Sequence, residues 1–264
     1  MSKDLDEGES RGDHITKRAP VDSNIDRDSS IKYWNETPAT ANAMLGDLGS
    51  FSWYSRIDLR GSANFLAKVR RLLSTTISQK RFRLGVDCGA GIGRVSNGFL
   101  RHVCEIVDAV EPVEKFASIL RQEPQNEDGP KEDGLVGDIY VTGLENWLPT
   151  KNYDLIWCQW CVGHITDIQL TEYLVRCRAA LTETGIMVIK ENISTDPTGA
   201  DMYDDLDSSV TRSDQKFREI FKEAGMTVIT SEIQLGFPKK YKLLPVRSYA
   251  LRPKPEIDST KHLV

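Results

Sequence analysis

The amino-acid sequence predicts an α/β fold: a largely parallel sheet with helices on both faces and an antiparallel finish. Three observations carry that prediction. Strand-like and helix-like segments alternate through most of the chain, a pattern that builds parallel sheets from strand–helix–strand units. A glycine-rich turn falls where the first strand meets the next helix. The last two strand candidates follow one another with no helix between them.

Taken in order, residues 1–30 are dense in charge, lack aromatics and carry only scattered apolar side chains such as Leu5, Ile15 and Ile25. Such a segment buries too little apolar surface to offset the entropy of ordering, so it is expected to be a disordered arm. Residues 253–264 are expected to be a similar tail, leaving 31–252 as one domain. Tyr33 to Tyr54 has no clean period and suits one or two short helices lying over the domain. From Ser62 to Ser78 the apolar residues Phe65, Leu66, Val69, Leu72, Leu73 and Ile77 make a helical stripe.

Leu84–Cys88 reads as a strand, Arg94–His102 as a helix, Glu105–Val110 as a strand and Val113–Gln122 as a helix. A Gly/Pro/acidic loop, 123–134, leads to a short strand at Asp138–Val141 and a buried one at Tyr153–Gln159. Thr166 or Asp167 caps a helix expected to turn Ile168, Leu174, Cys177 and Leu181 inward, with Gly185 as its stop. Ile186–Lys190 is the next strand. Ser213 caps a helix with Phe217, Ile220, Phe221 and Ala224 on one face, ended by Gly225. Met226–Ile233 and Pro245–Leu251 are the closing strands.

A net charge of −5 over 264 residues opposes nonspecific nucleic-acid binding, which needs a basic surface. It suits basic partners better. No apolar run approaches the length needed to span a membrane, and the N-terminus lacks a secretory core segment. Five cysteines without a repeating spacing are expected to be reduced thiols in a cytoplasmic protein. Cys158 and Cys161 form a C-x-x-C, but it follows a buried strand and has no second pair, so neither metal nor redox chemistry is expected there.

The chemistry concentrates at strand ends. In Asp87-Cys88-Gly89-Ala90-Gly91-Ile92-Gly93-Arg94 the glycines let the backbone approach a ligand, and the helix that follows offers free amide donors. Glu111, ending the second strand, can accept hydrogen bonds from both hydroxyls of a ribose. Nicotinamide-dinucleotide and S-adenosylmethionine sheets share this acid. The glycine spacing separates them, because Arg94 stands where the dinucleotide pattern places its third glycine. Gly143-Leu144-Glu145 follows the third strand, where an adenine ring can stack. The fourth strand runs into Gln159-Trp160-Cys161-Val162-Gly163-His164, and the fifth ends at Asn192 before the acidic stretch 201–209.

These blocks resemble the eukaryotic protein N-terminal methyltransferases that modify chains beginning Xaa-Pro-Lys once the initiator methionine is removed. The likeness runs through Tyr33-Trp34, Met44-Leu45-Gly46, DCGAGIGR at 87–94, QWCVGHITD at 159–167, Lys190-Glu191-Asn192, DDLDSSVTR at 204–212 and the closing SYALR at 248–252. It implies a Rossmann-like, seven-stranded methyltransferase sheet with an antiparallel last strand and an N-terminal helical lid. The cofactor implied is S-adenosylmethionine, without a metal. Its expected contacts are Gly89, Arg94, Glu111, Pro112 and Val113, then Leu144, Glu145 and Gln159. The expected substrate channel is lined by Trp34, Leu45, Trp160 and Asn192, together with Asp204, Asp207, Ser209 and Tyr241.

On the same basis Asp207, His164 and Asn192 are the expected catalytic residues, the first two taking or relaying a proton and the third orienting the substrate amine. Basic N-terminal peptides, ribosomal proteins among them, are the expected partners, with neither nucleic acid nor membrane; the resemblance adds the nucleus to the cytoplasm. Other readings stay open: a small-molecule amine or hydroxyl methyltransferase, a noncatalytic cofactor- or peptide-binding module and, more distantly, an NAD-dependent dehydrogenase.

Overall fold

A computed structural model describes residues 19–46, 48–74, 80–122 and 134–255. Most of the arm (1–18), most of the 123–134 loop, the expected helix end at 75–78 and most of the tail lie outside these. The helices are α1 (Arg27–Glu36), α2 (Ser52–Leu72), α3 (Arg101–Val103, continuing a π-helical segment Ser96–Leu100), α4 (Glu114–Gln122), α5 (Asp167–Ala179) and α6 (Asp214–Glu223). The strands are β1 (Phe82–Cys88), β2 (Cys104–Val110), β3 (Leu135–Tyr140), β4 (Tyr153–Gln159) and β5 (Leu181–Asn192). They continue as β6 (Met202–Asp204), β7 (Ser209–Thr211), β8 (Met226–Ile233) and β9 (Val246–Pro253).

Seven strands form one sheet in the order β3-β2-β1-β4-β5-β9-β8. Its pairs are parallel except those made by β9, which runs antiparallel to both β5 and β8. The expected hairpin finish is therefore present, with its second strand inserted between β5 and β8. A sheet covered on both sides buries consecutive residues, and β4 does so. Ile156 and Cys158 enter the core under α5 and α6, whereas Leu155 and Trp157 enter the one under α2. Among the described residues no helix is long and apolar enough to cross a membrane.

Four expectations need correction. Residues 19–30 belong to the fold, not to an arm: a 3-10 turn, Val21–Asn24, is followed by Asp26, whose carboxylate caps α1 by accepting Ser29 N–H at 2.7 Å. Asp22 is buried and accepts Asp167 N–H at 2.8 Å, so polar contacts, not apolar area, order this segment. Ile168 points outward at 72% exposure, because the inward stripe of α5 runs through Leu170, Tyr173, Leu174 and Cys177. Gly185 lies inside β5, and Pro253 ends β9 instead of opening a tail. Thr166 does cap α5, in a reciprocal box with Gln169.

β6 and β7 form a two-stranded ribbon over residues expected to be an acidic loop. Buried Arg212 anchors it. Its Nε donates to Asp167 at 2.7 Å, and its remaining nitrogens donate to the carbonyls of Val162 at 2.9 Å and Ile165 at 2.6 Å. Arginine suits this role because its planar fork serves several acceptors at once. Replacing Arg212 with Met leaves two carbonyls without their donor and Asp167 with Lys216 as its remaining cation. It is expected to cost about 3 kcal/mol, allowing for the part-exposed Asp167, read as a lowered urea midpoint at unchanged slope. A loss under about 1 kcal/mol would show that the ribbon is held by other contacts.

Candidate active site

The carboxyl ends of β1, β2, β4 and β5 converge on two adjoining cavities, as open parallel sheets dictate. In the first, the turn after β1 places Gly89 and Gly91 at φ +70° and +56°. A Cβ on Gly89 would lie 2.4 Å from the Cβ of Cys161, so only glycine fits between the β1 and β4 turns. Glu111, at the end of β2, is 5% exposed; its two oxygens accept Gly91 N–H at 2.7 Å and Val113 N–H at 2.8 Å. Burial nonetheless pushes its carboxyl up to about 7, against those two donors. One lone pair per oxygen stays available on the cavity wall, the pair of acceptors that two ribose hydroxyls require.

Opposite, Arg176 holds the 144–147 turn by donating to the carbonyls of Leu144, Glu145 and Trp147. Glu145 in turn accepts from Arg27 of α1 at 2.7 Å, which closes the helix over the cavity. All the residues expected to contact cofactor, Gly89, Arg94, Glu111, Pro112, Val113, Leu144, Glu145 and Gln159, line this one space.

Sequence reasoning missed the group beneath it. Asp58 of α2 is fully buried and accepts from Arg94 at 2.7 Å, from Gln159 at 3.0 and 2.8 Å, and from the ammonium of Lys190, itself fully buried. Burial pushes the Asp58 carboxyl up, but the two cations outweigh it and hold it below its ordinary value. The available signal was its register: positions 58, 62, 65 and 69 share a helix face, so an acid there points into the core. Arg27, Ser30 and Met44 were also missed as lining residues.

The second cavity lies between the segment 33–48, the turn after β4, the end of β5 and the ribbon. Trp34, Leu45, Trp160, Asn192, Asp207 and Ser209 line it as expected, with His164, Tyr54 and Glu191. Asp204 and Tyr241 do not. Asp204 is exposed and accepts Leu206 N–H at 3.0 Å, capping the ribbon turn. The Tyr241 ring packs on Phe51 and Trp53, and Leu243 and Leu244 reach the cavity from that segment instead.

Four residues line both cavities: Trp34, Met44, Trp160 and His164. Trp160 sits at φ +54°, a conformation costly for a side chain of that size. Glu191 holds the turn behind it, accepting Cys161 N–H at 2.7 Å and Val162 N–H at 3.0 Å. Tyr54 stacks on the Trp160 ring at 6.3 Å, and the Arg94 guanidinium lies 5.5 Å from it. The indole N–H of Trp34 faces His164 Nε2 at 3.3 Å, and Ser30 Oγ lies 3.1 Å from Nδ1. Because indole only donates, Nε2 accepts and the ring proton sits on Nδ1. Burial lowers the His164 pKa, opposed by Asp207, so the ring is neutral at pH 7. Asp207 Oδ1 and Trp160 Nε1 are buried without a hydrogen-bond partner. Cys158 and Cys161 carry thiols pushed up from their ordinary value, and among the described residues no group of three or more His, Cys, Asp or Glu side chains is placed to hold a metal ion.

A family model described as AdoMet dependent proline di-methyltransferase matches residues 22–252. The chain belongs to that family. An alpha N-terminal protein methyltransferase 1 from Schizosaccharomyces pombe is 40% identical over 225 residues, covering 85% of this chain and 94% of the relative. An N-terminal Xaa-Pro-Lys N-methyltransferase 1 from Xenopus tropicalis is 37% identical over 222 residues, covering 84% and 92%. Among solved structures, a SAM-dependent methyltransferase from Leishmania major superposes with a TM-score of 0.73 at 30% identity, covering 86% of this chain and 82% of that one. A Synechocystis magnesium protoporphyrin IX methyltransferase with bound SAM shares the fold alone, at 13% identity and a TM-score of 0.54. As a member of the proline di-methyltransferase family, the chain is an enzyme whose methyl donor is S-adenosylmethionine, and the cavity built on Glu111 fits that cofactor.

The raised Glu111 carboxyl makes a pH prediction. With a bound value near 7 against an ordinary 4.5, its stability contribution is complete below 4.5 and lost as pH rises through 7. Ribose acceptance runs the other way, since only the ionised form offers all its lone pairs. Affinity for S-adenosylhomocysteine, measured by calorimetry, should fall as pH drops through about 7, by up to about tenfold per unit. Glu111→Gln should weaken binding and flatten that dependence. A pH-independent wild-type affinity between 6 and 8 would remove Glu111 from the ribose site.

Proposed function

We propose that this enzyme transfers methyl groups from S-adenosylmethionine to the free α-amine of proteins beginning Xaa-Pro-Lys, after initiator methionine removal, in up to two or three rounds. The observation that carries the reading is the shared wall: Trp34, Met44, Trp160 and His164 border both cavities, and Asp207, one of whose carboxylate oxygens is buried without a partner, lines the second. The names borne by the 40% and 37% identical relatives support the same acceptor. Cytoplasmic and nuclear proteins, ribosomal proteins among them, are the partners this reading proposes.

When bound, the cofactor supplies an electrophilic methyl group on its sulfonium. The protein must deliver a neutral amine in line with it. At neutral pH, deprotonating an α-amine costs about 1 kcal/mol, against about 4.6 kcal/mol for a lysine amine, so a modest base suffices. Asp207 Oδ1, unpartnered and buried, is the first acceptor. The Nε2 lone pair of His164 is already engaged by Trp34, so His164 acts as a relay that must release that bond to take the proton. Asn192, at the end of β5 on the cavity wall, orients the amine through its side-chain amide and contributes positioning. Trp34 and Trp160 bound the site with aromatic faces that attract a partly methylated ammonium. A lysine at the third position extends outward toward the exposed Asp204 and Asp205 of the ribbon.

Mass spectrometry of a Ser-Pro-Lys-initiated peptide with S-adenosylmethionine, beside its N-acetylated form, tests this directly. Methyl gains are expected on the free peptide alone. Asp207→Ala and Asn192→Ala should each lower kcat about a hundredfold or more. Transfer to the acetylated peptide, or unimpaired turnover by both variants, would refute the assignment.

A further inference from the structure

Two segments that run into the lining of the second cavity carry exposed charge of opposite sign, and neither is neutralised. In the ribbon turn Asp204 and Asp205 are exposed, just ahead of the cavity-lining Asp207 and Ser209. A 3-10 turn, Lys239–Tyr241, followed by Lys242, exposes three lysines immediately before the cavity-lining Leu243 and Leu244. Among the described residues none of these five groups enters an ion pair.

The basic turn is held in place. The Tyr241 ring lies 5.3 Å from Trp53 and 5.6 Å from Phe51, at the start of α2, and Lys242 closes the turn at φ +49°. The three ammonium groups therefore ride on a fixed turn that leads into the cavity lining. Lys240 Nζ stands 5.0 Å from the centroid of the Tyr241 ring.

We propose that the Lys239–Lys242 turn is a second recognition element that reads acidic side chains at the fourth to sixth positions of the substrate protein. This rests on the reading of the second cavity as a peptide site. A peptide whose α-amine sits at the wall shared with the cofactor runs outward at about 3.3–3.6 Å per residue. It fills the cavity with its first two or three residues and reaches the mouth with the next ones. The ribbon carboxylates take the third-position lysine, and the basic turn selects acids after it and repels a further run of lysine or arginine. Charge at a rim acts on selection and association. The net charge of −5 argues against nucleic acid as the occupant of these lysines.

The test uses three peptides, Ser-Pro-Lys followed by Ala-Ala-Ala, Glu-Glu-Ala or Lys-Lys-Ala, with the full-length enzyme and a charge-reversed variant K239E/K240E/K242E, which leaves Tyr241 and the cavity residues in place. Wild-type kcat/KM should be about tenfold higher for the Glu-Glu peptide than for the Lys-Lys one, each exposed pair contributing a factor of about two to five. The ratio should shrink at 0.5 M NaCl, as exposed charges are screened. In the variant the order of the two charged peptides should invert. Equal rates for the charged peptides, a wild-type preference for Lys-Lys, or a ratio that survives charge reversal would overturn the proposal while leaving α-amine transfer intact. Failure to methylate even the neutral peptide would overturn both.

Discussion

The site depends on one buried carboxylate. Asp58 brings the guanidinium of Arg94, the amide of Gln159 and the ammonium of Lys190 to a single point inside α2. These donors come from the glycine-turn helix, the end of β4 and the end of β5. One anion thereby fixes the relative positions of two strand ends and the helix that follows the glycine turn. Taking charges out of water is costly, and the cluster survives because each is met by an opposite charge or a hydrogen bond. Its geometry then passes outward: Trp160 follows Gln159 directly, and Asn192 lies two residues beyond Lys190. Two side chains of the second cavity, Trp160 and Asn192, are thus set by a group that lines neither cavity.

The wall between the cavities is assembled from strained and polar parts, not from apolar packing. Trp160 occupies a left-handed backbone position only because Glu191 grips the next two amides. His164 is held on both ring nitrogens by residues of α1. The ribbon carrying Asp207 is pinned by Arg212 to the helix that follows His164. Each fastening is a hydrogen bond or ion pair with a stated direction, so the wall is defined by orientation as well as volume.

Much of this was legible before any coordinates. Strand and helix alternation, the caps at Thr166 and Ser213, the glycine turn and Glu111 all leave local signatures, because period and turn chemistry are properties of neighbouring residues. What escaped depends on distant partners. Residues 19–30 look unstructured by composition, yet Asp22 and Asp26 are ordered by groups on α5 and the ribbon turn. Asp58 reads as one more helix acid until Lys190 arrives from a strand far along the chain. Of the residues the family likeness names for the substrate channel, Asp207, Asn192 and Ser209 line the second cavity, whereas Asp204 sits in the ribbon turn and Tyr241 in an aromatic cluster.

Helix α1 contributes Trp34 to both cavities, and its Arg27 is fastened to Glu145 on the far side of the cofactor space. Whatever free energy one ligand supplies toward seating that helix is not required of the next. Any coupling that this helix carries between the two cavities is reciprocal: the factor by which a ligand in the first tightens binding in the second equals the factor by which a ligand in the second tightens binding in the first.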